Sequence, residues 1–167
     1  MSLHYILDGY NIIQSGPDEL LAKGTLQGKR EYLLGLLKTF LNNGAAGMQV
    51  TVVFDGPESL PFFGSEPSSS YYYGIKVVFS EGRTADARIE ELVGKLANTG
   101  ETVVVTNDRG LRRLIATSGV RFMGVDDFAR KIMPGQNSGK PRGPGEVEIS
   151  MAESINNELK DIWLKRK

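Results

Sequence analysis

Four aspartates carry the chemistry this sequence could perform, and three of them close short apolar runs. Asp8 ends Tyr5-Ile6-Leu7 and is followed by Gly9 and, three places on, by Asn11. Asp55 closes Val52-Val53-Phe54 ahead of Gly56, and Asp108 follows Val103-Val104-Val105 through Thr106 and Asn107. Asp86 stands in the first turn of an expected helix, with Glu90 one turn on and on the same face. Taken singly, each has a plain structural explanation. Asp8 caps a turn, Asn11 hydrogen-bonds its own backbone, and Asp86 answers a helix dipole. The recurrence of acids at strand ends points further, because ligands of open α/β sheets bind outside the carboxyl ends of the strands. Two carboxylates about 4 Å apart repel by about 1 kcal/mol in water and by about 4 kcal/mol at an effective dielectric near 20. A group of them at one edge therefore calls for a cation or a proton. Hard oxygen donors without His or Cys select Mg²⁺ or Mn²⁺ over zinc, and such ions act chiefly on phosphates. Convergence itself is an inference from the expected fold.

Other phosphate and acyl chemistries lack their residues. There is no Gly-rich Walker loop and no GxGxxG after the first strand. A phosphoaspartyl phosphatase would need an acid two places after Asp8, where Tyr10 stands. No Gly-x-Ser-x-Gly elbow exists and the one histidine, His4, falls inside a strand, which excludes a Ser-His triad. The absence of cysteine rules out disulfides and thiolate metal sites and is compatible with a reducing compartment. With no secretory leader and no membrane-spanning run, the expected location is cytoplasmic.

The formal net charge is zero, so any nucleic-acid footprint must be local. Arg109, Arg112 and Arg113 share one helix beside Asp108, and Arg83 and Arg88 flank Asp86. They could contact phosphates, which gives affinity and position without sequence choice, or simply form a solvated face. Tyr71-Tyr72-Tyr73, with Phe62 and Phe63 in the same stretch, could stack on bases or form a buried cluster.

The elements that must position these residues alternate. Strands are expected at 5–7, 48–55, 75–80, 101–108 and 120–123. Helices are expected at 27–43, 84–98, 109–118 and 126–133, with a helical turn at 17–23 and a long irregular stretch over 56–74. Leu33, Leu36, Leu37, Phe40 and Leu41 give the first long helix its apolar spacing. Alternation of this kind specifies a parallel α/β sheet with right-handed crossovers. Residues 1–134 read as the domain, and 135–149, rich in Gly and Pro, as a flexible linker. Over 150–167 an amphipathic helix is expected, opened by the capping box Ser150–Glu153. Its stripe, Met151, Ile155, Leu159, Ile162 and Trp163, must bury against its own domain, a second copy or a partner.

Together, Leu7-Asp8-Gly9-Tyr10-Asn11, Val53-Phe54-Asp55-Gly56, Thr84-Ala85-Asp86 and Val105-Thr106-Asn107-Asp108 resemble the NYN domain. Within the PIN-like (FEN-like) nuclease superfamily they are most similar to its YacP-like branch, over about Tyr5 to Met133. The resemblance implies a three-layer α/β/α fold with a parallel sheet of order 3-2-1-4-5, a Mg²⁺- or Mn²⁺-dependent phosphodiesterase site at the carboxyl edge, and RNA as substrate. By residue it implies Asp8, Asp86 and Asp108 as catalytic and metal-binding acids, with Asp55 and Glu90 as further ligands. Asn11, Thr106 and Asn107 take substrate-positioning places. Arg83, Arg88, Arg109, Arg112, Arg113 and Tyr72 are the expected RNA contacts. Many relatives carry another acid just after the place of Asp86, where this chain has Ala87, so either Glu90 substitutes or the site takes one ion.

The leading expectation is thus a metal-dependent endoribonuclease. The alternatives are an RNA- or ribonucleoprotein-binding adaptor with a weak or degenerate site, and a structural module acting through the C-terminal helix. Expected partners are RNA, a ribosome or ribonucleoprotein, and a second copy through that helix; a membrane is not among them.

Overall fold

The computed structural model describes residues 3–43, 47–56 and 69–133. The expected linker and C-terminal helix, together with Phe62 and Phe63, lie outside the described residues. Six strands form one sheet: β1 (His4–Asp8), β2 (Gln49–Phe54), β3 (Ser69–Tyr72), β4 (Ile75–Phe79), β5 (Thr102–Val105) and β6 (Arg121–Met123), in the order β3-β4-β2-β1-β5-β6. The five strands expected from the sequence are all parallel and stand in the expected 3-2-1-4-5 arrangement. The difference lies at one edge. Ser69–Tyr72, placed by the sequence reading in the long irregular stretch, is a sixth strand that pairs antiparallel with β4. A tight turn through Tyr73 and Gly74, both at positive φ, joins the two. The serine run at 68–70 and the prolines before it hid the pairing, which is a tertiary matter.

Among the described residues six α-helices flank the sheet: α1 (Gly9–Ser15), α2 (Asp18–Leu21), α3 (Leu26–Asn42), α4 (Ala85–Gly94), α5 (Arg109–Leu114) and α6 (Val125–Ile132). Strand residues alternate between two cores, as the pleat requires. Tyr5, Leu7, Val103 and Val105 pack with Leu33 and Leu37 of α3 and Phe128 of α6 on one face. Ile6 and Val104 pack with Ile89 of α4 and Leu111 of α5 on the other. The product is a three-layer α/β/α sandwich around a mostly parallel sheet.

Helix α1 was not expected. Its sequence, GYNIIQS, contains glycine, asparagine and β-branched isoleucines, all weak helix formers. It forms because Asp8 accepts a hydrogen bond from the Asn11 N–H as its N-cap and because Ile12 and Ile13 are buried. Helix α4 stops at Gly94, short of the expected Asn98, and the helix after β5 splits into α5 and a 3₁₀ turn at Ala116–Ser118.

Phe128 is fully buried and its ring lies 5.6 Å from that of Tyr5 and 6.5 Å from that of Phe40. Phe128→Ala should therefore lower the unfolding free energy by about 3–5 kcal/mol. Urea titration checks this, and a loss below about 1 kcal/mol would show that this layer is not close-packed.

Candidate functional site

All five parallel strands point their carboxyl ends to one edge, and the acids gather there. Register places Asp8 beside Val53, and Leu7 beside Val105, so the ends of β2, β1 and β5 lie next to one another. Asp8 is only 5% exposed. Its Oδ1 accepts from the Asn11 N–H at 3.1 Å, and its Oδ2 accepts from the Thr106 hydroxyl at 3.1 Å. Gly9 is required by space: a Cβ there would lie 2.6 Å from the Phe54 ring and 2.9 Å from the Val53 carbonyl.

Thr106 ties the first acid to the last. While its hydroxyl donates to Asp8, the same oxygen accepts from the Asp108 N–H at 3.0 Å. Asp108 then caps α5, its Oδ1 accepting from the N–H groups of Gly110 and Leu111. Two of the expected catalytic acids are therefore also helix N-caps.

Burial raises the pKa of Asp8 first, its two hydrogen bonds oppose this, and the charges of Asp86 and Asp108 add to the rise. Asp86, half-buried at the start of α4, is likewise raised, by burial and then by Asp108 and Asp55. The four acids thus share one field. Asp55 is exposed, its Oδ1 accepting from the Ser80 hydroxyl at 2.7 Å. Glu90 is also exposed but is not among the charges acting on Asp86. Among the described residues, no three acids or histidines stand close enough to hold a metal ion directly between them.

The other expected site residues have partners of their own. Thr106 is fully buried, its hydroxyl bridging Asp8 and Asp108. Asn11 and Asn107 brace loops: the Asn107 N–H donates to Asn11 Oδ1 at 2.7 Å, and the Val125 N–H donates to Asn107 Oδ1 at 3.0 Å. Arg112 turns inward, its Nε donating to the Thr106 carbonyl at 3.0 Å with Nη2 beside it, while its guanidinium lies over Phe122. Arg83 and Arg88 both pair with Glu91. Arg109 and Arg113 remain exposed and form no ion pair among the described residues. Tyr72 packs against the core at the turn into β4, on the amino edge of the sheet and away from the acids.

Arg30 is the residue that sequence reasoning missed. This arginine of α3 is 6% exposed, and its Nη2 donates to the Asp55 carbonyl at 2.8 Å. Its guanidinium lies 5.2 Å from the Phe54 ring centroid and 5.7 Å from that of Phe79. It fixes the end of β2 as Arg112 fixes the end of β5. The only local signal was a cation on the apolar side of a helix.

A family model, the YacP-like NYN domain, matches residues 5–165. Two solved structures are similar in fold. The crystal structure of Rae1 (YacP) from Bacillus subtilis is 21% identical, with a TM-score of 0.61, over 99% of this chain and 81% of that one. The W164L mutant of the same protein is 21% identical, with a TM-score of 0.59, over 99% of this chain and 86% of that one. No curated protein matches the chain.

Two outcomes follow from the geometry. A carboxyl whose pKa is raised on folding contributes stability that is full below its unfolded value and is lost as pH rises through the folded one. With chelator present, Asp86→Asn should therefore melt higher than the wild type at pH 7. That advantage should shrink as pH falls toward 3.8, the ordinary aspartate value. A pH-independent difference would show that Asp86 is not in the shared field. Arg112→Gln should cost about 1–3 kcal/mol of stability by leaving a strand-end carbonyl without its charged donor. Arg113→Gln should stay within about 0.5 kcal/mol of wild type, and equal melting of the two variants would remove the bracing role.

Proposed function

This chain belongs to the YacP-like NYN domain family, and on that premise we propose that it is a Mg²⁺- or Mn²⁺-dependent endoribonuclease hydrolysing RNA phosphodiester bonds at the acidic edge. The observation that supports this reading is the mutual electrostatic coupling of Asp8, Asp86 and Asp108, with Asp55 beside Asp86. A fold that keeps like charges together at the cost of stability has a use for the field they make.

The donor set fits a hard divalent ion. Mg²⁺ keeps several waters and is commonly held by one or two carboxylates together with substrate phosphate, so three direct protein ligands are not needed. Asp8, Asp86 and Asp108 would hold it, with Asp55 as a further ligand. When bound, the ion would lower the pKa of a water and steady the leaving oxygen. The chain's own residues do the remainder. Thr106 and Asn11 hold the Asp8 carboxylate fixed. Asp86 accepts no hydrogen bond from the described residues, which leaves its carboxylate free to take a proton from water. Arg109 and Arg113, exposed beside Asp108, are placed to contact backbone phosphates.

RNA on a ribosome or other ribonucleoprotein, a cytoplasmic setting, and self-association through 150–167 belong to the same proposal. Among the described residues no helix is long and apolar enough to cross a membrane. A second reading, an RNA-binding adaptor with a degenerate site, is favoured by the lack of three acids within direct metal-holding distance.

Asp8→Asn separates the two readings. The substitution nearly preserves shape and N-capping while removing the charge. Cleavage should fall by about a hundredfold or more, with RNA binding unchanged or tighter because repulsion of phosphates is reduced. Wild-type cleavage should need Mg²⁺ or Mn²⁺ and stop with chelator. Several RNA contexts should be assayed, naked and particle-bound. If wild type and Asp8→Asn process every one alike, with or without metal, the adaptor reading stands.

A further inference from the structure

Among the described residues, the face of the sheet that carries α4 is not covered to its amino end. Helix α4 stops at Gly94, and beyond it a cavity of about 400 Å³ opens over the starts of the strands. Register sets its floor: Ile6 pairs with Thr51, Thr51 with Lys76, and Lys76 with Tyr71, a row across β1, β2, β4 and β3. Thr51 Oγ1 is 2.9 Å from His4 Nε2. Lys95 and Leu96 supply the wall past the end of α4.

The charges in this cavity do not balance. Lys95 pairs with Glu91, but Lys76 has no ion pair among the described residues, although it is half-buried on a strand flanked on both sides. Lysine is disfavoured within strands and is seldom buried without a partner. Its charge reaches the neighbouring imidazole: burial, and then Lys76, lower the pKa of His4, so that the ring is neutral at pH 7. One unpaired cation thus faces a space lined by neutral hydrogen-bonding groups. Tyr71, which forms the other end of the row, is 73% exposed.

We propose that this cavity is a second RNA-binding site, taking one nucleotide of a single strand with its phosphodiester against Lys76 and its base against Tyr71. One positive charge matches the single negative charge of a diester. A volume of about 400 Å³ is within the range of small-ligand sites, about 300–1,000 Å³. An aromatic ring beside a cation is the combination by which proteins hold single strands without reading sequence. The row lies about 7 Å along the strands from Asp8 and about 13 Å from Asp55, at about 3.3 Å per residue. It would engage a nucleotide remote from the bond to be cut. The choice of RNA as ligand rests on the proposed function; the cavity and its charge do not.

The test is a titration of the full-length Asp8→Asn protein, with chelator present, by a hexauridylate and separately by inorganic phosphate. Backbone amide shifts are followed at 49–51 and 71–76. The oligonucleotide should move these amides saturably, and inorganic phosphate should do so only at much higher concentration. In the same background, Lys76→Gln should weaken the effect about fivefold or more and reduce the salt slope by about 0.7. Tyr71→Leu, at an exposed position that leaves the fold intact, should weaken it by about fivefold or more. Shifts confined to the carboxyl edge, equal affinity in Lys76→Gln, or equal potency of phosphate and oligonucleotide would each overturn the proposal. Amide shifts that persist in a protein whose wild type cleaves no RNA would uphold it while removing the hydrolytic reading.

Discussion

The hydroxyl of Thr106 is the point on which the acidic edge depends. It donates to Asp8 at the end of β1 and accepts from the backbone of Asp108 beyond β5, joining two acids a hundred residues apart in the chain. With no exposure to water, neither bond is exchanged for solvent, and in such an environment an unmade bond is costly. The same short loop is held from behind by Arg112 and from the side by Asn11. A carboxylate that must stay ionised while buried can do so only when its lone pairs are met, and Asp8 meets them with one backbone and one side-chain donor.

Two arginines play matching parts that composition does not reveal. Arg30 and Arg112 each leave a helix to bind the carbonyl at the end of a neighbouring strand, and each lies over aromatic rings. A planar guanidinium can do both at once. Placed behind the edge, these cations oppose the acids from within the protein. Arg109 and Arg113 of the same helix are exposed, so its arginines divide between bracing and solvent.

Like charges held together set a limit on stability. The raised proton affinities of Asp8 and Asp86 mean that the folded protein resists their ionisation. Close packing on both faces of the sheet carries this load, with Phe128, Tyr5 and Phe40 on one side and Ile89 and Leu111 on the other. Each isolated acid is a modest perturbation; it is their common edge that makes them a site.

The sequence by itself determined the parallel framework and the acids that sit on it. Apolar runs ending in Asp8, Asp55 and Asp108 specify strands with acids at their carboxyl ends, because period and burial are local properties of the chain. The spacing of Leu33 and Leu37 similarly specified α3. Helix α1 and strand β3 were illegible because weak local propensity was overruled by a cap and by pairing to a distant strand. The partners of Asn11, Thr106, Asn107 and Arg112 were illegible for the same reason. A polar side chain in sequence carries no sign of whether its partner is a ligand or a backbone group from another strand. Only the tertiary structure decided that these four bond to groups distant in the chain or in the next loop, Thr106 in full burial and the others at the rim of the sheet edge.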